Sequence, residues 1–149
     1  RFLEWSAPLM PENRAKSARL IRAAECGLTD TDYPSVSIGN LSSHRAVSQK
    51  LGRDLSVLRW RTNIWLDGLA PWEEFDWIGR IIEIGEVQFE ICERVQRCLA
   101  TTANPETGRR DADTLGILQT WDHQDFCVYA RVLNAGTIHL NDSAKAPNP

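Results

Sequence analysis

Hydrophobic and polar positions alternate with a period of two over much of the second half of the chain, which is the repeat of a half-buried strand. Trp60, Thr62, Ile64 and Leu66 alternate with Arg59, Arg61, Asn63 and Trp65, predicting a strand over residues 58–66 that Asp67-Gly68 ends. Residues 81–84 and 87–92 read as two strands joined by Gly85-Glu86, a glycine-first hairpin pair. Short strands are also expected over residues 98–102, 126–133 and 137–140, and earlier where Val36 and Ile38 alternate with Ser35 and Ser37. Helical spacing is confined to a few places. Ala15, Ala18, Leu20, Ile21 and Ala24 predict a helix over residues 12–24 with Arg14, Lys16, Arg19 and Arg22 on its other face. A second helix runs to Leu51, capped by Asn40, Ser42 or Ser43 and closed by Gly52. Residues 113–120 make a short third helix, and residues 70–75 a single turn at best. Many short strands with Gly/Pro turns and few helices predict a mainly β fold: a closed or nearly closed barrel with short helices outside it.

Composition adds limits. The chain has 149 residues, 42% hydrophobic and 25% charged, the make-up of an ordinary globular domain. The net charge of −3 argues against a broad nucleic-acid footprint. No apolar run approaches the roughly 20 residues of a membrane helix. Arg1-Phe2-Leu3-Glu4-Trp5 carries no apolar signal region, so reduced thiols in a cytoplasm are expected. A start at Arg1 reads as a processed chain or a fragment. The expected organisation is an N-terminal helical remnant over residues 1–28, a main domain over 29–142 and a flexible tail over 143–149.

The candidate chemistry is sparse. Of six tryptophans, Trp60, Trp65, Trp72 and Trp77 cluster in one stretch and read first as core or core edge and second as a ligand-stacking wall. No HExxH, GxSxG, GxGxxG or P-loop occurs. Asp122-His123-Gln124-Asp125 is the one dense polar knot, more simply a hydrogen-bonded loop than a catalytic or metal site. Glu73-Glu74 reads as a solvated helical face. Four cysteines show no CxxC. Cys26, Cys92 and Cys127 read as structural. Cys98 is bracketed by Arg94 and Arg97, and cations favour the thiolate, though a buried structural cysteine fits the spacing too. On a strand, Arg59, Arg61 and Asn63 would share one face, either as an anion or heterocycle clamp or as an exposed strand face.

Four segments in order carry a family resemblance: Asp32-Tyr33-Pro34-Ser35-Val36-Ser37-Ile38, Trp60 through Gly68, Arg97 through Gly108, and Phe126-Cys127-Val128-Tyr129-Ala130. Over residues 29–142 the chain resembles a MOSC domain, the module named for the C-terminal part of molybdenum-cofactor sulfurases. That module is also found in YcbX-type proteins and the mitochondrial amidoxime-reducing component. The resemblance implies a MOSC-type β-barrel that binds the molybdenum cofactor, a molybdopterin. Cys98 would ligate molybdenum or carry sulfur, as suits a soft thiolate. Arg61 and Asn63 would hold the pterin and its phosphate, Tyr129 would stand at the same pocket, and Asp32 near it. Two positions depart from the family pattern. Phe126-Cys127 stands where Phe-Gly is frequent, adding a side chain at a crowded spot, and Ala103-Asn104-Pro105 replaces Val-Asp-Pro.

Many relatives also have an N-terminal β-barrel segment that contributes basic residues, and Arg1 begins after it. The resemblance therefore implies the C-terminal portion of a longer oxidoreductase, with a redox partner protein and a cofactor that this portion need not hold alone. A sulfur carrier using a Cys98 persulfide without metal, and a non-catalytic cofactor scaffold, are the alternatives.

Overall fold

In the computed structural model the described residues are 1–10, 12, 15–22 and 29–145. The chain divides into two compact units, Arg1–Asp30 and Thr31–Pro149. In the first, helix α1 spans Phe2–Ser6, and a 3-10 turn over Ala7–Leu9 follows with Pro8 at its start. Of the helix expected over residues 12–24, residue 12 and residues 15–22 are not helical, and the remainder lies outside the described residues, as does Cys26. Leu20 and Ile21 of the expected apolar stripe are exposed and gain no burial. A helix of that length is marginal in water without such packing.

The second unit is mainly β. Its strands are β1 (Val36–Asn40), β2 (Ile64–Leu66), β3 (Ile81–Ile84), β4 (Val87–Gln96), β5 (Asp125–Val132) and β6 (Ala144–Lys145). They form one sheet in the order β2-β1-β5-β4-β3-β6 that curls into a nearly closed barrel. Among the described strands only β1 and β2 pair in parallel, and helix α2 (Leu41–Leu51) lies between them in the chain. The edge strands β2 and β6 line a groove of about 920 Å³ where the barrel does not close. Helix α3 spans Thr114–Gln119.

The elements follow local chemistry. Asn40 caps α2, its side chain accepting from Ser42 N at 2.8 Å, and Gly52 ends the helix at φ 74°. Asp113 caps α3 by accepting from Gly116 N at 2.9 Å. Gly85, at φ 56°, turns the β3–β4 hairpin, in which Ile84 pairs with Val87 and Ile82 with Phe89.

Three expected strands are corrected. Residues 57–60 form a 3-10 turn, with Ser56 Oγ accepting from Leu58 N, and Arg61 follows in the left-handed region at φ 52°. Only Ile64–Leu66 is strand. The turn carries Trp60 into full burial, which an alternating strand would not do for Arg59 as well. Leu99–Thr102 is also a 3-10 turn, because Thr101 Oγ1 and Thr102 Oγ1 bond back to the carbonyls of Cys98 and Leu99. Residues 137–140 form no strand, and Ala144–Lys145 pair with β3 instead.

Two apolar clusters result. The barrel side holds Ile38, Trp77, Ile82, Phe89, Ile91 and Val128. The helical side holds Val47, Leu55, Trp60, Val95, Leu118 and Phe126. Each such side chain contributes roughly 1.5–3 kcal/mol by burial. Trp60, Trp65, Trp72 and Trp77 belong to the core and its edge, as their first reading has it, while Trp5 is exposed. Trp60 stacks on Phe126 at 3.8 Å between centroids, and Trp65 and Trp72 flank the pair.

Candidate cofactor-binding site

Among the candidate residues, Arg61 follows one 3-10 turn and Cys98 precedes another, Asn63 lies just before β2, Tyr129 within β5 and Asp32 in the bend before β1. Asn63 precedes β2, and its Oδ1 accepts from both Ser37 N and Ser37 Oγ at 2.9 Å. Its backbone N–H donates to Ser37 Oγ at 3.1 Å. This fixes the amide, and among the described residues its Nδ2 donates to no partner that uses it up. Ser37 pairs with Tyr129 across β1 and β5, and Tyr129 with Glu93 across β5 and β4. Directly opposed residues point to one face, so Ser37, Tyr129 and Glu93 line a common polar surface beside Asn63. Tyr33 O–H donates to Glu93 Oε1 at 2.8 Å, and burial together with that bond raises its pKa. Asp32, one residue earlier, lies exposed at the margin of this surface.

Arg61 and Cys98 are both exposed. Cys98 precedes the Leu99–Thr102 turn, and its carbonyl accepts from Thr101 N at 3.2 Å and Thr101 Oγ1 at 3.1 Å. Exposure removes the reading of Cys98 as a buried structural thiol. The expected bracket of cations takes another form. Arg97 turns inward, donating from Nε to Phe126 O at 2.9 Å and from Nη1 to Trp60 O at 2.8 Å. Arg94 lies over the Phe75 ring, 3.8 Å from Asp125 Oδ2.

Arg59 does not share a face with Arg61. Its side chain is 2% exposed, and it donates from Nη1 to Thr102 O at 3.1 Å and from Nη2 to Asp111 Oδ1. Asn104 and the guanidiniums of Arg59 and Arg53 hold the Asp111 carboxyl down at about 2. Arg59 thus drops out of the face expected to hold Arg59, Arg61 and Asn63. The sequence reading did not single out Ser37, whose place between Val36 and Ile38 on an alternating strand was the available signal.

Other candidates resolve differently. His123 is enclosed by Trp72 and Phe75, and its Nδ1 accepts from Asp125 N at 3.2 Å, a hydrogen-bonded loop. Burial lowers its pKa. Glu74 is not a solvated carboxylate: it is fully buried, accepting from Asn40 Nδ2 at 2.8 Å and Ser43 Oγ at 2.9 Å, and burial raises its pKa. Cys92 is half-buried and Cys127 fully buried.

The family model described as MOSC domain matches residues 30–145. The chain belongs to the MOSC family. Molybdenum cofactor sulfurase of Drosophila grimshawi is 38% identical over 105 residues, covering 65% of this chain and 13% of that protein. Mitochondrial amidoxime-reducing component 1 of Mus musculus is 25% identical over 148 residues, covering 89% of this chain and 43% of that protein. The chain therefore spans less than half the length of these relatives. The crystal structure of YiiM from Geobacillus stearothermophilus superposes with a TM-score of 0.54 at 19% identity, over 76% of this chain and 54% of that one, a likeness of fold.

The departure from the MOSC pattern at Cys127 has a structural account. Between Arg94 and Gln96 the β4–β5 register slips, with an extra residue on β5, and Cys127 takes φ 70° there. A bulge with a left-handed residue is a position that favours glycine. The thiol fits because its neighbour is Gly39: a Cβ there would lie 2.8 Å from Cys127 Sγ. Thr62 Oγ1 lies 2.9 Å from the sulfur, and burial pushes the thiol up to about 11.

Proposed function

We propose that this MOSC domain binds a molybdopterin, with the Cys98 thiolate as the protein's ligand to molybdenum. The observation that carries the reading is the exposed thiol of Cys98, on a fixed backbone, joined through Arg97 to the segment that presents the exposed Arg61. The donor set fits such a group. Among the described residues no three His, Cys, Asp or Glu side chains converge to hold a metal ion, so a metal here would take one protein thiolate and the rest of its ligands from an organic carrier. Arg61 would grip a phosphate through parallel charge-assisted hydrogen bonds. Asn63, held by Ser37, would orient the pterin through its Nδ2, with Tyr129 beside it and Asp32 at the margin. When bound, the cofactor would supply redox chemistry at molybdenum.

In the longer protein this makes the domain part of an oxidoreductase, cytoplasmic, acting on N-oxygenated compounds with electrons from a partner protein. A further barrel segment would add basic residues to the cofactor. The same open thiol supports a second reading, a sulfur carrier that takes a persulfide on Cys98. Metal analysis of the full-length protein separates the two. Stoichiometric molybdenum that is lost in Cys98→Ser supports the ligand role. A metal-free protein that accumulates Cys98 persulfide supports the carrier.

A further inference from the structure

Two arginines cross between the segments that present Arg61 and Cys98. Arg59, two residues before Arg61, reaches the carbonyl of Thr102 at 3.1 Å and that of Thr101 at 3.5 Å, just beyond Cys98. Arg97, immediately before Cys98, reaches the carbonyl of Trp60 at 2.8 Å, immediately before Arg61. The straps run in opposite directions, so each segment is held by the other's guanidinium. Both are anchored at a second point: Arg59 on Asp111, which also takes Arg53 at 3.1 Å, and Arg97 on Phe126 O at 2.9 Å. Thr101 passes the constraint on, since its N–H and Oγ1 hold the Cys98 carbonyl and its Oγ1 lies 2.7 Å from Thr114 Oγ1. Arg97 also lies over the stacked Trp60–Phe126 pair, 5.9 Å from each ring centroid. Neither arginine is exposed as Arg61 is: Arg59 is buried, and Arg97 half-buried with a fully covered Nη2.

We infer that Arg59 and Arg97 are positioning residues that set the separation between the Cys98 thiol and the Arg61 cation. The inference rests on the reading of these two residues as one binding site. Planar guanidinium is the group suited to the task, since each arginine here spans two acceptors with directed N–H groups. Lysine keeps the charge but offers one compact ammonium, so it preserves the field and loses the strap.

That difference supplies the test. In protein prepared without cofactor, Cys98 alkylation is timed with anionic iodoacetate and with neutral iodoacetamide, and the ratio of rates is read by peptide mass spectrometry. If the Arg61 cation lies within roughly 6 Å of the sulfur, in a water-like dielectric it favours the anion about threefold. Arg61→Ala is expected to remove this preference. Arg59→Lys and Arg97→Lys, with total charge unchanged, are expected to lower it by about two- to threefold while the circular dichroism spectrum stays native. Should the buried Arg59→Lys not fold, Arg97→Lys carries the same test from a half-buried position. Lysine variants that keep the wild-type ratio while Arg61→Ala loses it overturn the inference and leave the shared site standing. A ratio unchanged by Arg61→Ala overturns the shared site and the inference with it.

Discussion

The two apolar clusters are built on different principles. On the barrel side, strands β3 and β4 meet in unbroken register, and Ile82, Ile84, Val87, Phe89 and Ile91 bury one face. Regular ladders satisfy the backbone there. On the other side, short 3-10 turns replace strands, and side chains satisfy the backbone: Arg59 and Arg97 on carbonyls, Asn63 on Ser37 N, Asn40 on Ala70 O and Ser43 on Trp72 N. Arg61, Trp72, Asp122 and Cys127 all take positive φ around this region. Such conformations persist only where neighbours over-determine them. The difference teaches where chemistry can be placed. A ladder fixes side chains by period alone, whereas a turn held by charged side chains can aim a thiol and a cation outward together.

Truncating one large side chain in each half gives the strongest contrast. Trp60→Ala and Ile91→Ala should each cost about 2–5 kcal/mol in urea unfolding, with Trp60 at the upper end because it also loses its Nε1–H bond to His44. Only Trp60→Ala should change the rate of Cys98 alkylation in the remaining folded protein. An equal change in Ile91→Ala would erase the distinction between the halves.

Gly39→Ala should come next, at about 1–3 kcal/mol in thermal melts, since the new Cβ would crowd Cys127 Sγ, Thr62 Cγ2 and Trp65 Cζ3. Cys127→Gly in the same chain should restore most of the loss. No recovery would mean that the sheet, and not the thiol, sets the limit.

Buried ionisable groups on the turn-built side should give it two opposed pH dependences. Burial lowers the pKa of His44, whose Nδ1 accepts from Trp60 Nε1 at 3.0 Å. The unfolded chain therefore takes up a proton first, and stability falls as pH drops below the ordinary 6.5 towards the lower folded value. Glu74 has the opposite sign: its folded pKa is raised, so stability falls as pH climbs from the ordinary 4.5 through the folded value. His44→Gln should flatten the acid-side loss and Glu74→Gln the other, in melts recorded across pH. Unchanged slopes in both variants would move the pH sensitivity elsewhere.

The smallest effect belongs to the barrel side. Glu90 and Arg131 face each other across β4 and β5 with an ion pair of 2.9 Å, both partly exposed. Arg131→Ala should cost about 0.2–1 kcal/mol and fade with salt. A larger, salt-insensitive loss would place a charged anchor where the ladder is expected to suffice.

Legibility in the sequence divides along the same line. The β3–β4 hairpin, β5, α2 and α3 could be read because their signals are local: alternation, Gly85, the Asn40 and Asp113 caps and Gly52. Residues 57–62 misled because Trp60, Thr62 and Ile64 alternate as a strand would, while the turn is imposed by contacts far along the chain. Arg59 finds Asp111 across 52 residues, which no local pattern reveals. Leu99–Thr102 misled in the same way, since its β-branched threonines favour strands by propensity but bond back to their own turn. At the candidate site, the roles proposed for Cys98, Arg61, Asn63 and Tyr129 come from the family resemblance. The roles of Ser37, Arg59 and Arg97 depend on partners that only the fold brings within reach.

The position of β5 sets the order in which this chain can be completed during synthesis. It lies between β1 and β4, with Val36 opposite Ala130, so the first strand of the sheet waits for nearly the last. Until residue 132 has left the ribosome, β1 and β2 can only form a parallel pair around α2, and the β3–β4 hairpin has an open edge. Distant pairing of this kind slows folding and leaves apolar edges uncovered meanwhile. A nascent chain truncated before β5 is thus the form most exposed to self-association and most in need of a chaperone.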